Sequence, residues 1–419
     1  MKNSVGTGLP EYSFNTEQTV LIVGAGLAGC AIAKALADRG YTCEVFDQHY
    51  AAAASTSAIP AAVIRPAVSG DDFFKRYFDY AFELCCKSIA PAFFTQCGAL
   101  EFTDKLHSAS GYSSKRVTAE QASVLAGTEL SGNAVYIEEA GYVAAGDLCN
   151  QWLQHDAITF TSATTIGDIR KTMHGWQLVS DSGEVIGESH IVVLATGAHS
   201  TSFELARELP LQYSAGQIDL FEYSGAPLKC IVNSNGYLLP YSVGPQNNVP
   251  RGVWCGATHH RHQTTCATTD ADSQANKTTL ADIAPSLSLA KKSAQSFSAV
   301  RTYTPDRLPV VGALHDSAQF KNDYADLRHG KPASHYGPPA FHQGLYLAAG
   351  LGSRGATQAL LIGELISDLI TGMHLEGSYP DDSSPHQQGL KTHQPIGRQQ
   401  FLQTLHPARF LLRELKRSP

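Results

Sequence analysis

Three glycines, at positions 24, 26 and 29, stand where an apolar strand meets a helical pattern. In Gly24-Ala-Gly-Leu-Ala-Gly29 each has a separate physical task. The first permits a tight turn, the second lets the backbone approach a pyrophosphate, and the third lets helix and strand pack closely. The helix N-terminus adds unpaired N–H groups and a partial positive charge for phosphates. Asp47 closes the next strand, 18 residues after Gly29. A carboxylate there can accept hydrogen bonds from ribose hydroxyls. Strand, glycine turn, helix, strand and acid in this order predict a dinucleotide site. The alternative is a glycine-rich turn in an unrelated α/β protein.

The motif leaves FAD and NAD open. A second strand–glycine–helix segment near the C-terminus leans toward FAD, because its helix N-terminus could meet the far end of an extended cofactor. Gly350, Gly352, Arg354 and Gly355 belong to it, with Arg354 able to face flavin or substrate. Ala195-Thr196-Gly197 ends a further strand and is expected near the adenine side.

Several elements must position these residues. Thr19–Val23 reads as a buried strand, Cys30–Asp38 as a helix and Thr42–Phe46 as a second strand. Residues 51–70, small and Pro-containing, read as a loop, and Asp72–Ile89 as a helix. Residues 145–154 read as a helix with an acidic cap. Residues 156–195 alternate like short strands with a turn at Asp181-Ser-Gly183. More strands follow in 209–260, then a His- and Thr-rich surface loop and helix over 258–280. Residues 313–343 look like an insertion, Gly344–Gly350 like the last buried strand, and Gly352–Thr371 like a glycine turn and apolar helix. The expectation is an N-terminal extension (1–18) and a discontinuous nucleotide domain (19–90, 140–208 and 340–375). A substrate domain (91–139 and 209–339) and a basic tail (376–419) complete the chain.

At 419 residues the chain suits two interleaved domains. A formal charge of −7 gives no general affinity for nucleic acid, so a polyanion would need a local basic patch. The tail offers one: Lys391, Arg398, Arg409, Arg413, Lys416 and Arg417 stand against Glu414. Leu405–Leu415 reads as an amphipathic basic helix that could hold phosphates, or as a docked helix with solvated arginines. No targeting segment or membrane span is expected. Nine cysteines, an odd number without a C-x-x-C pair, read as reduced thiols in a cytoplasmic protein, mostly as small buried residues. His259, His260 and His262 match no usual zinc spacing, so no metal is expected.

The order of G-x-G-x-x-G, terminal acid, Ala-Thr-Gly and late glycine-flanked strand resembles the D-amino acid oxidase superfamily. Within it, three segments resemble the FAD-dependent oxidase half of the MnmC family, which matures a modified wobble uridine of tRNA. These are Arg301-Thr-Tyr-Thr-Pro-Asp-Arg-Leu-Pro-Val-Val-Gly312, Gly350-Leu-Gly-Ser-Arg-Gly355 and Leu405-His-Pro-Ala-Arg-Phe-Leu-Leu-Arg413. The fold implied is a Rossmann-type α/β FAD-binding domain with a second, antiparallel-sheet α+β substrate domain. That family usually carries a methyltransferase half. Only about 18 residues precede the flavin unit here, so the expectation is the oxidase step alone, with a separate methyltransferase as a candidate partner. The loop after strand two also departs from the family pattern, with Ser57-Ala-Ile and Ala61 where the family has Ser-Gly-Asn and a later glycine.

The resemblance implies FAD-dependent oxidation of a carboxymethylamino group on tRNA, releasing glyoxylate. It places Arg301, before a Pro-Asp pair, as the cation that holds the substrate carboxylate, a task suited to a bidentate guanidinium. It places Tyr237 beside that carboxylate, and Ser57 among the flavin-facing residues. Arg307 reads as structural, pairing near Asp306. No side chain is required as a strong base if the amine arrives neutral. The rival readings are an oxidase of a small free amine such as glycine, sarcosine or a D-amino acid, a non-catalytic flavin protein associated with RNA, and an NAD-dependent dehydrogenase.

Overall fold

The computed structural model describes residues 8–102, 114–224, 227–242, 251–289, 293–331, 335–373 and 397–417. Strand β1 (Val20–Val23) is apolar and wholly buried, as a strand covered on both faces must be. Gly24 then takes φ +106° and turns the chain into α1 (Leu27–Ala37). Strand β2 (Cys43–Phe46) returns parallel to β1, with Val20 opposite Cys43. The loop expected at 51–70 carries a short strand, Ala62–Ile64. Helix α2 (Asp72–Ser88) is capped by Asp71, whose carboxylate accepts from the Phe74 N–H. Helix α3 (Ala145–Leu153) has no side-chain cap; Asp147 lies in its first turn instead. Strand β3 (Ile158–Thr161) joins β2, and β4 (Ile191–Leu194) joins the other edge of β1, both parallel.

The second sheet is built around β5 (Gln212–Ser224). Strands β6 (Tyr237–Ser242) and β7 (Arg251–Gly256) pair antiparallel, and β7 pairs with β5. The two-residue strand β8 (His260–Arg261) follows on that same edge of β5. Helix α4 (Asp270–Ile283) packs across β5 and β7. Strand β9 (Gln295–Tyr303) lines the opposite edge of β5 from Gln212 to Leu220. Segments 99–101, 114–117 and 134–137 extend this ten-stranded, largely antiparallel sheet.

Strand β10 (Val310–His315) leaves that sheet and pairs antiparallel with β11 (Phe341–Ala349), which runs parallel to β4. The first sheet is thus ordered β10-β11-β4-β1-β2-β3. The segment 209–339, expected to serve the substrate side alone, therefore gives β10 to the nucleotide-side sheet. The expected insertion at 313–343 carries a helix, Ser317–Asp323, between β10 and β11. Helix α5 (Gly355–Thr371) packs on α1 over one face of the sheet. A three-stranded antiparallel layer with buried Trp176 covers the other face. The architecture is the expected one, a Rossmann-type α/β sheet joined to a second, mainly antiparallel sheet.

The tail departs from expectation. It forms α6 (Arg398–Leu405) and α7 (Arg409–Leu415), broken at His406-Pro407, where proline cannot continue a helix. Phe401 and Leu405 are buried in the core shared with α1 and α5. Lys391 lies outside the described residues.

Candidate active site

The glycine turn is closed by contacts that leave no space for a side chain. A Cβ on Gly29 would lie 1.8 Å from the Gly24 carbonyl oxygen, and one on Gly24 2.5 Å from that of Ala195. The Ala195 N–H donates to the Val23 carbonyl at 2.8 Å, which fixes the Ala-Thr-Gly strand end beside the turn. The Asp47 carboxylate accepts the Ala25 N–H at 2.8 Å through Oδ2 and the His49 N–H at 2.9 Å through Oδ1. Each oxygen keeps a second acceptor site. Ser57 reaches back so that its Oγ accepts the Leu27 N–H at 3.1 Å, in the first turn of α1.

A cavity of about 940 Å³ opens over this turn and runs to the second sheet. Gly24, Gly26, Asp47 and Ser57 line one part of it, and Ala195 and Gly197 the adjoining wall. Gly352, Arg354 and Gly355, at the start of α5, line another part, and Tyr237 and Arg301 lie on the side of the ten-stranded sheet. Two predicted residues are not on the wall. Gly29 lies behind the turn, as its helix-packing task requires. Gly350 turns at φ +73° against Thr304 and Leu211 rather than toward the cavity.

The cavity fits an extended dinucleotide. It is bordered by a glycine turn without side chains, a helix N-terminus, a carboxylate with acceptor capacity left over, and a second helix N-terminus. Gly24, Gly26, Ala28 and Ser57 would hold the phosphates and Asp47 a ribose, while Gly352 and Gly355 would flank the far end.

Arg301 enters from β9, opposite Ser214 of β5. It sits deep in the protein with part of its surface open to the cavity. Its Nη2 donates to the Thr258 carbonyl at 3.1 Å. Among the described residues no carboxylate lies within 4.0 Å of it. Burial pulls its pKa below the usual arginine value, with Tyr237 opposing that pull. Tyr237, on β6, is raised well above an ordinary phenol by burial, and the Arg301 charge opposes this. Each residue therefore feels the other.

Sequence reading did not find what makes room for this guanidinium. A Cβ on Gly216 would lie 2.0 Å from Arg301 Nη2. Nothing local marks Gly216, because its task exists only once β5 and β9 are paired.

Arg354 rests on aromatic faces, its guanidinium carbon 4.9 Å from the Phe78 ring centre and 5.8 Å from that of Phe74. Its Nη1 donates to the Pro66 carbonyl at 3.1 Å. Burial and neighbouring Arg65 push its pKa down to about 9, which leaves it charged at neutral pH. Arg65, on the same cavity wall, is itself paired at 3.0 Å with buried Glu101. His259 also lines the cavity, whereas His260 turns to Asp272 at 2.7 Å.

Two expectations about cations are corrected. Arg307 does not pair with Asp306; its guanidinium stacks 4.4 Å from the Tyr303 ring centre. Asp306 instead binds Arg409 at 3.0 Å and Arg413 at 2.8 Å, and these partners hold its carboxyl down at about 2. Arg398 is bound to Glu364 at 3.0 Å and buried Asp368 at 3.3 Å. The tail arginines Arg398 and Arg409 therefore fasten the tail to the body and are not free for phosphate. Lys416 and Arg417 remain exposed.

The family model described as FAD dependent oxidoreductase (DAO) matches residues 19–369. The chain belongs to this family. It is therefore an FAD-dependent oxidoreductase, and the nicotinamide alternative is set aside. The chain is 26% identical over 382 residues to the tRNA 5-methylaminomethyl-2-thiouridine biosynthesis bifunctional protein MnmC of Thiobacillus denitrificans, covering 85% of this chain and 57% of that protein. It is 29% identical over 421 residues to MnmC of Pseudomonas putida KT2440, covering 95% and 60%. The chain thus spans about three-fifths of the length of these relatives. The fold matches glycine oxidase from Geobacillus kaustophilus with a TM-score of 0.64 at 20% identity, covering 91% of this chain and 99% of that one. It matches L-proline dehydrogenase from P. horikoshii with 0.65 at 17% identity, covering 96% and 99%.

Among the described residues no helix is long and apolar enough to cross a membrane. Nor do three or more His, Cys, Asp or Glu side chains gather there in a group that could hold a metal ion.

Proposed function

We propose that this FAD-dependent oxidoreductase oxidises the C–N bond of a carboxymethylamino group carried on a tRNA wobble uridine, in the cytoplasm. The observation that carries the reading is Arg301. A deeply placed guanidinium without a carboxylate partner among the described residues opens onto the cavity that holds the glycine turn. Its missing counter-ion is supplied by an acid group on the substrate. The MnmC relatives are named for tRNA modification, which supports placing that acid on an RNA.

FAD, when bound, supplies the hydride acceptor. Arg301 fixes the substrate carboxylate, and the Tyr237 hydroxyl donates beside it. Together they hold the adjacent methylene in one orientation. The substrate –NH–CH2–COO⁻ loses a hydride and a proton to become an imine. Water then adds and splits the C–N bond, leaving aminomethyluridine and glyoxylate. Thr258 assists by accepting from Arg301 through its carbonyl, which fixes the plane of the guanidinium. A separate methyltransferase is the candidate partner acting on the amine so released.

The test is anaerobic bleaching of the yellow holoenzyme by tRNA bearing the carboxymethylaminomethyl group, against the same tRNA lacking it. Bleaching by the first alone is expected. Arg301→Ala should retain FAD and lower kcat/KM by roughly 10²–10³-fold, the loss of a charge-assisted bidentate interaction worth about 3–4 kcal/mol. Unchanged kcat/KM in Arg301→Ala would remove the carboxylate anchor from the proposal.

A second reading, oxidation of a small free amine such as glycine, sarcosine or a D-amino acid, is favoured by one observation. Arg301 and Tyr237 would serve any α-amino acid carboxylate, and three of the tail cations that argued for RNA, Arg398, Arg409 and Arg413, are spent in ion pairs. Peroxide release from these amines at a rate typical of a dedicated enzyme would decide for it.

A further inference from the structure

The ion-paired tail leaves open where a polyanionic substrate would be gripped. Strand register supplies an answer. Ser214 of β5 is opposite Arg301 of β9 on one side and opposite Arg261 of β8 on the other. Directly opposed residues of antiparallel strands point to the same face of a sheet. Arg261 and Arg301 therefore share the cavity face, two strand spacings or about 10 Å apart. Tyr303 lies two residues beyond Arg301 and shares that face too. Arg307 lies over its ring. Three guanidiniums thus lie on one side of this sheet, the middle one deep and the outer two exposed.

Arg261 stands at the mouth of the cavity, and Arg307 lies over Tyr303 beyond Arg301. His259, Thr264 and Cys266 line the cavity, so the segment carrying Arg261 passes along its mouth. The His259 imidazole is held below its ordinary pKa first by burial, then by the charges of Arg301, Arg261, His260 and Arg307. Three guanidiniums, those of Arg301, Arg261 and Arg307, thus act on one imidazole of the cavity wall. Among the described residues neither Arg261 nor Arg307 has a carboxylate within 4.0 Å. A free amino acid needs only the inner guanidinium. The outer pair has a use when the substrate continues outward as a chain of phosphates.

We propose that Arg261 and Arg307 form a phosphate-binding rim that seats the RNA backbone while Arg301 takes the carboxylate inside. This rests on the tRNA reading above. It moves the RNA-binding surface from the C-terminal tail to the cavity mouth.

The test is fluorescence-anisotropy titration of the FAD-loaded protein with a labelled tRNA transcript across a salt series. Wild type is compared with R261E/R307E, R261K/R307K and K416E/R417E. The rim reversal should weaken binding by about tenfold or more near ~0.1 M salt and lower the salt slope by about 2, one for each phosphate no longer neutralised. The lysine pair should stay within about threefold of wild type, because phosphate recognition here needs charge rather than a bidentate fork. FAD content and melting temperature report folding in each variant. Rim reversal that binds like wild type overturns the proposal, as does loss confined to K416E/R417E. If wild type itself neither binds the transcript nor is bleached by carboxymethylaminomethyl tRNA, the tRNA reading fails first. If wild type is bleached and the rim variants bind and bleach equally well, only the rim assignment fails.

Discussion

Gly216 shows how much the placement of Arg301 depends on an atom that is absent. Its hydrogen faces Arg301 Nη2 where a Cβ would stand only 2.0 Å away, and the Thr258 carbonyl oxygen would be 2.2 Å from the same Cβ. The guanidinium is a flexible end and would move; the carbonyl is backbone and cannot move freely. Gly216→Ala should therefore fold and bind FAD but displace Arg301 from its hydrogen bond to Thr258. A misplacement of about 1 Å near a reacting group can cost on the order of 10²-fold in rate. The expected result is a normal flavin spectrum with KM for the carboxylate-bearing substrate raised at least about tenfold. The measurement is steady-state kinetics beside a flavin titration. An alanine variant with wild-type KM would show that the cavity-side placement of Arg301 is irrelevant to binding.

At the scale of elements, local chemistry was legible and long-range pairing was not. β1, the glycine turn, α1, β2 and Asp47 lie within 30 residues, so their order alone carried the dinucleotide reading. The same held for β11 and α5. Placing Ser214 between Arg261 and Arg301 requires strands about 45 and 85 residues away to find one register, which no local pattern encodes. β10 was missed for the same reason. The tail misled because its basic residues look solvated in sequence, while Asp306, Glu364 and Asp368 arrive from elsewhere to bind Arg398, Arg409 and Arg413. Its docking has a pH signature. The His406 ring, buried between α6 and α7, accepts the Ala408 N–H at Nδ1, 3.0 Å away. His315 of β10 lies with its ring centre 6.4 Å from that of His406. Burial pushes His406 down to about 3, helped by His315 and Arg409, and His315 down to about 4, helped by His342 and Lys321 against Glu208 and Asp316. Both folded values lie below the ordinary histidine value of about 6.5, so the unfolded chain binds the extra protons. Stability is thus complete above pH ~6.5 and declines as pH falls toward 4 and then 3, by up to about 1.4 kcal/mol per unit for each histidine. Denaturant titrations between pH 7 and 4.5 should show this slope, and His406→Leu should reduce it. A variant with the wild-type slope would assign the acid sensitivity to other groups.

For the whole molecule, the cavity is where distant parts of the chain converge. Its walls draw on residues 23–65 near the N-terminus, 195–203 in the middle, 297–302 of β9 and 348–357 near the end. Glycines and other small residues line much of the first sheet's side, Tyr237 and Arg301 line the second sheet's side, and neither sheet closes the space on its own. A cofactor filling it would touch both. A ligand that binds only the folded state stabilises it by about 2.7 kcal/mol at a hundredfold excess over Kd. Here that gain should reach the chain as one body. Removing FAD should lower the melting temperature in a single transition, and hydrogen exchange should quicken both in the turn after β1 and along β9. The contrary outcome is specific. If stripping the flavin loosens residues 23–65 while β9 keeps its protection, then the second sheet is stable without the first. Arg301 would in that case be set by β5 and β9 alone, ready for a carboxylate before any flavin is bound.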